Sequence, residues 1–308
     1  MPFGLLTGLA AALSWGTMDI ATALVSRRIG SLRVTAGVQL VGAVLLVLLA
    51  IATATPVPSD PTAIAISALL GVIGAGAYLS YFKGLQVGPI AVVSGMVAAY
   101  GGLTVGLAVV FRGETLTGVQ ALGAAVATIG VIMTGVAFGG GLRATRFAGP
   151  GVVFAVVALV LFAAMAITTD IAIESATWLQ VLLVSRLVTA VISIVAIVTL
   201  AVMARRAAGR AAGRAAGCVV VPDASWEPTM RAPVLIALVA AGMLDVLGLA
   251  AFAIGLSNAP TWMVGLASSF GPAVTILVAV AFLGERLEPV QWAGLVGIAI
   301  GMIAIALP

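Results

Sequence analysis

The chain has 308 residues, of which 63% are hydrophobic and 8% charged. A soluble domain carries roughly a quarter charged residues, so this composition excludes a water-facing surface and makes lipid the solvent. There is no histidine and one cysteine, Cys218, which removes the usual metal and acid–base ligands and any intrachain disulfide, and the net charge of +4 lies in short loops and is no nucleic-acid signal.

Spanning a bilayer takes about 20 apolar residues, so the length allows roughly ten helices. Segment one runs from about Phe3 to Leu24 and segment two from Leu32 to Ala52. The start lacks a basic n-region, so segment one is expected to be a retained span. Pro56 and Pro58 break the pattern before segment three, Pro61–Phe82. Segment four covers Ile90–Phe111 and segment five Leu116–Ala137. A glycine run at 139–141 with Arg143 and Arg146 links the halves. Segments six and seven cover Pro150–Ile171 and Trp178–Met203. The loop at 204–232 carries Arg205, Arg206, Arg210 and Arg214 in an Ala-Ala-Gly-Arg cadence and reads as mobile low complexity. Segments eight, nine and ten cover Pro233–Leu256, Thr261–Leu283 and Leu287–Leu307.

The stretch from Gly84 to Ile132 recurs without a gap at Gly255 to Ile303. Pro89 falls on Pro260, Thr104 on Thr275, Gln120 on Gln291 and Gly130 on Gly301. Phe111-Arg-Gly-Glu-Thr-Leu116 falls on Phe282-Leu-Gly-Glu-Arg-Leu287. A repeat that keeps glycine, proline and a corner glutamate keeps backbone geometry. The first repeat is residues 1–138 and the second 147–308. Each half holds an odd number of spans, so the second enters the membrane from the opposite side. The expected fold is an all-α integral membrane protein: ten transmembrane helices as two inverted five-helix repeats, an architecture common among secondary transporters. Arg27, Arg28, Lys83, Arg143 and the 204–232 arginines share one face, whereas the opposite loops hold only Arg112. The positive-inside rule makes the first face cytoplasmic and puts both termini outside a bacterial-type inner membrane.

The twice-repeated Gly-Glu-x-Leu corner followed by Gln and a glycine-bearing span, with Leu13-Ser-Trp-Gly16 in the first segment, resembles the EamA-like drug/metabolite transporter superfamily. The resemblance implies ten helices, segments five and ten at the periphery, and export or exchange of a small organic solute such as an amino acid or drug. At the place matching Trp15-Gly16 the second half has Phe162-Ala163, which confines any role of the tryptophan to one half.

Ionisable groups inside spans are costly and mark function by default. Asp19, one turn after Trp15, is a proton, cation or amine site, or else a carboxylate reaching the interface near Arg27 and Arg28. Asp245 is central in segment eight and is expected to face a cavity. Arg186 and Asp170 read as a structural ion pair; alternatively Arg186 receives a substrate carboxylate. Glu114 and Glu285, at the corners before segments five and ten, read as structural caps. Trp15, Tyr78, Tyr100, Trp262 and Phe270 could line a cavity and hold a ring or cation, with Ser268 and Ser269 touching the substrate. Tyr81 is also in an inner segment but reads best as an interfacial anchor. Gly101, Gly102, Gly271 and Pro272 fall at matched positions and are expected to act as gates or hinges. Gly4-x-x-x-Gly8 and Gly297-x-x-x-Gly301 suit packing within one chain, so a monomer or weak homodimer is expected.

These residues point to alternating-access export or exchange of small amphipathic metabolites such as amino acids. One alternative is proton-coupled efflux of organic cations or drugs. Readings from other classes are a non-transporting membrane subunit or a lipid-modifying enzyme, the latter weakened by the lack of a nucleophile or metal constellation. No cofactor or metal is expected, and the partners are a small organic solute and membrane lipid, not nucleic acid.

Overall fold

The computed structural model describes residues 2–88, 90–136, 150–214, 232–271, 273–274 and 289–307. They form α1 (Pro2–Ile29), α2 (Ser31–Ala52), α3 (Pro61–Val87), α4 (Ile90–Ala98), α5 (Tyr100–Arg112) and α6 (Gly118–Val136) in the first half. The second half contains α7 (Pro150–Ile173), α8 (Trp178–Arg214), α9 (Ala232–Leu256), α10 (Thr261–Ser268) and α11 (Pro289–Ala306). Among the described residues, eight helical stretches are long and apolar enough to cross a membrane, and Gly118–Met133 of α6 is a shorter apolar one. Glu285, Thr275 and Pro272 lie outside the described residues.

Local chemistry sets the helix ends. Asp60 accepts from the N–H groups of Thr62 and Ala63, both at 3.1 Å, and Pro61 opens the first turn of α3. Gly113 closes α5 in the left-handed region, at φ 65°. Thr117 and Gln120 form a reciprocal box ahead of α6: the Gln120 N–H meets Thr117 Oγ1 at 3.2 Å and the Thr117 N–H meets Gln120 Oε1 at 3.0 Å. Thr117 thus does for α6 what the sequence reading assigned to Glu114. Helix α8 continues to Arg214, so residues 204–214 are helical where a loop was expected. Alanine and arginine are strong helix formers, and a helix already running from the membrane bears no new nucleation cost.

The segment-four span breaks at Ala99, between α4 and α5. In the other half, α10 ends at Ser268 and the chain turns through Ser269 and Phe270. Ala99 and Phe270 occupy the same repeat position, so the interruption falls just before the expected Gly101/Gly102 and Gly271.

Helix contacts come in matched sets. The packing of α3 on α7 is answered by α9 on α1, and that of α3 on α8 by α9 on α2. Two helix pairs that join the halves run antiparallel: the repeat mates α6 and α11, and α5 with α10. Gly123 of α6 meets Gly301 and Ala304 of α11, whereas Gly130 meets Gly294 and Ile298. Likewise Gly101 of α5 meets Leu266 and Ser269 of α10, whereas Thr104 meets Gly265. Gly4 and Gly8 pack on Ala259 and Ala267 of the same chain. Small residues allow this approach where lipid supplies no hydrophobic drive.

The α6–α11 seam is tight: a Cβ at Gly130 would lie 2.7 Å from the Gly294 oxygen. Gly106, by contrast, has nothing within 4 Å. Gly130→Leu is expected to destabilise by about 1–3 kcal/mol through overpacking, whereas Gly106→Ala should be neutral or stabilising by about 0.4–1 kcal/mol. Thermal unfolding of both variants in one detergent checks the contrast.

Candidate functional site

In the middle of the helices, six rings enclose a cavity. Trp15 comes from α1, Tyr78 and Tyr81 from α3, Tyr100 from α5, Phe162 from α7 and Phe252 from α9. The cavity measures about 70 Å³, below the roughly 300–1,000 Å³ usual for ligand pockets. None of its described lining residues comes from α6 or α11. The rings brace one another at tilted or edge-on angles. Phe162 meets Tyr78 at 5.5 Å and Tyr81 at 5.9 Å, and Trp15 meets Phe252 at 5.8 Å between centroids. Gly248 makes room for the indole: a Cβ there would sit 2.6 Å from Trp15 Nε1.

Asp19 lines this cavity and is 5% exposed. It belongs to none of the three ion pairs among the described residues. The Tyr81 hydroxyl lies within hydrogen-bonding reach of its carboxyl and also meets Ser94 Oγ at 3.1 Å. The alternative of an interfacial carboxylate beside Arg27 and Arg28 does not describe its position. Tyr81, read from the sequence as an interfacial anchor, is instead 6% exposed in the cavity wall. Met18, Ser94, Phe162 and Phe252 also line the cavity and were missed. Phe162 alone had a signal, since it falls on the position of Trp15.

Other expected site residues take different places. Ser269 and Gly271 line the cavity. Ser268 lies one layer behind and meets the Tyr100 hydroxyl at 2.7 Å. Trp262 and Phe270 are buried in the apolar cluster that joins α10 to its neighbours. Gly101 is a packing point against Ser269, and Gly102 one against Thr128.

Asp245 does not line the aromatic cavity; it stands behind Tyr78. Fully buried at 0% exposure, it accepts the Tyr78 hydroxyl at 2.6 Å. Its other oxygen meets Arg186 Nη2 at 2.8 Å. The Arg186 guanidinium carbon also lies 5.5 Å from the centroid of the Tyr78 ring, a cation–π distance. Three helices, α3, α8 and α9, are thereby tied at one point. The expected Arg186–Asp170 pair is corrected: Asp170 binds Arg112 at 2.5 Å, and Arg112 also binds Glu174. Asp170 is near the end of α7, where the end of α5 brings Arg112, whereas Arg186 is two turns into α8 and faces α9.

Glu114 is likewise partnered across the halves. Its carboxylate accepts the N–H of Thr261 at 2.8 Å and of Trp262 at 3.0 Å. It caps α10, where a negative charge meets the positive end of the helix dipole. Together with the Arg112 pairs, this forms a polar clamp between α5, α7 and α10 at one end of the bundle.

The model of the EamA-like transporter family matches residues 2–136 and 149–307. A solved structure described only as "Crystal structure of protein" superposes with a TM-score of 0.74 at 19% identity, covering 98% of this chain and 96% of that one. At that identity the likeness concerns the fold. Among curated proteins, nothing matches the chain.

Removing one member of a buried ion pair strands the other. Asp245→Asn is expected to destabilise by about 3–5 kcal/mol, and the double change Arg186→Gln/Asp245→Asn by much less. Chemical denaturation in detergent, run on both, distinguishes a paired charge from two independent ones.

Proposed function

The chain belongs to the EamA-like transporter family, and from that membership we propose that it is a secondary transporter that exports or exchanges a small amphipathic solute bearing an amine. The observation that carries this reading is the ring-lined cavity with Asp19 in its wall and no lysine or arginine among its described lining residues. Aromatic faces hold an apolar or cationic body, and an unpaired carboxylate in a low-dielectric space favours an ammonium partner. Amino acids and organic cations both present that end. The absence of a basic group from the described wall favours organic cations and amines as the second reading, with a proton as the competing ligand of Asp19.

Alternating access is the mechanism we propose. Ten spans in two inverted halves would let the same contacts close either mouth; the antiparallel run of the repeat mates α6 and α11 supports this. In this reading the clamp of Glu114, Arg112, Asp170 and Glu174 closes the outer mouth, because its face carries few basic loop residues. Its carboxylates would exchange helix-cap and guanidinium partners for water when that mouth opens. The cavity needs a gate that makes and breaks, and polar contacts at a water-facing rim can be replaced at low cost. The chain would sit in a cytoplasmic membrane with both ends outside.

Flux of a cationic amine from proteoliposomes, with and without a pH gradient, tests the role of Asp19. Wild type is expected to accumulate solute against its gradient when protons flow the other way. Asp19→Asn should lose the gradient-driven component, by about tenfold or more for one lost charge contact. Undiminished uphill transport by Asp19→Asn would contradict the assignment.

A further inference from the structure

A second cavity lies behind the aromatic one and shares part of its wall. Tyr78 and Met165 line both. The smaller space, between α3, α7, α8 and α9, measures about 20 Å³, room for one water-sized polar group. Its polar lining is Arg186, Thr169, Ser185 and Thr189. All three hydroxyls already donate to helix carbonyls: Thr169 to Met165 at 2.7 Å, Ser185 to Leu182 at 3.1 Å, and Thr189 to Gly71 at 2.8 Å. Arg186 does not share this saturation. It is 4% exposed, and its Nη1 has no hydrogen-bond partner among the described residues.

A buried N–H of a charged group left without an acceptor is costly. The acceptor that suits it is constrained by charge. Asp245 already neutralises the guanidinium. A second carboxylate would leave a net negative charge in a low-dielectric interior, which is strongly unfavourable. A neutral oxygen meets the N–H without that penalty.

We propose that the chamber behind Tyr78 is a second solute subsite, in which Arg186 Nη1 donates to a neutral acceptor, such as a carboxamide or ketone oxygen, at the end of the solute remote from its amine. This rests on the aromatic cavity being the solute site. Tyr78 is then the divider. Asp245 holds its hydroxyl and Arg186 lies over its ring, so the groups that serve the subsite also set the position of its door. Solutes long enough to pass the divider gain a hydrogen bond that shorter ones do not.

The test uses the full chain in lipid nanodiscs and reads dissociation constants by calorimetry. The probes are primary amines joined by two to eight methylenes to a carboxamide, each against the amine of equal length ending in methyl. Wild type is expected to favour the carboxamide by about tenfold at one chain length, the worth of a hydrogen bond to a charged donor. Leu182→Phe, which fills the chamber without touching a charge, should bring that ratio to about one. Arg186→Met/Asp245→Asn, which removes the donor and its counter-ion together, should do the same. If only water occupies the chamber, the two series bind alike at every length in wild type, and the proposal is overturned. A ratio that survives in both variants also overturns it. Failure of every amine to bind refutes the aromatic cavity as an amine site; binding of methyl-ended amines without a carboxamide preference refutes the subsite alone.

Discussion

The contact on which the rest of the bundle turns is the buried pair of Arg186 and Asp245. Neither side chain reaches lipid or water, so each charge survives only because the other is 2.8 Å away. The cost of separating them locks α8 to α9. The hydroxyl of Tyr78 adds α3 to the knot. Because Tyr78 is also a wall of the central cavity, an electrostatic requirement far from any membrane surface fixes the geometry of the space where a solute would sit. The same logic, weaker and nearer water, recurs at the bundle's end. There Glu114 satisfies the N-terminus of α10 and Arg112 collects two carboxylates. A polar tie in the middle resists movement, whereas ties at the rim can be released.

The two halves share a scaffold and have diverged in chemistry. The displacement that sets Trp15 on Phe162 also sets Gln39 of α2 on Arg186 of α8. Both residues are buried, and both keep polar atoms with no hydrogen-bond partner among the described residues. One half thus has a neutral amide where the other has a guanidinium. Asp245 falls on Gly74 by the displacement that sets Gly84 on Gly255, so the counter-ion is likewise confined to one half. Asp19 falls on Ala166 in the other half, so the carboxylate in the cavity wall belongs to the first half alone. A symmetric frame therefore encloses an asymmetric pocket, with a carboxylate contributed by one half and a neutralised cation by the other.

Much of this was legible in the residues. Composition showed a membrane protein, and the repeat of glycine, proline and the Gly-Glu-x-Leu corner showed two equivalent halves. Scarce aromatics and intramembrane carboxylates drew attention to Trp15, Asp19, Tyr78 and Tyr100, which do meet around one cavity. What remained hidden depends on which way a helix faces. In lipid, helices are apolar nearly all round, so no polar stripe tells the inward side from the outward one. Tyr78 and Tyr81 are one turn apart in α3, and Tyr81, nearer the helix end, reads as an anchor; only packing shows both turned inward. Partner choice was hidden for a related reason. Arg186 and Asp170 stand in consecutive helices of the second half, but the helices carry them to different levels, and each finds a partner elsewhere. Glu114 has the spacing of a cap for its own helix; Thr117 and Gln120 take that task locally and free the carboxylate to reach across.

The account stands or falls on whether the central cavity faces one compartment at a time. Ser269 lines that cavity and differs from cysteine by one atom. In a chain carrying Ser269→Cys and Cys218→Ser, the rate of reaction with a membrane-impermeant thiol reagent can be read from each side of a sealed proteoliposome. Reaction from one side is expected, and saturating solute should slow it there while raising it on the other. Simultaneous reaction from both sides, or a sidedness that no solute changes, would contradict the account.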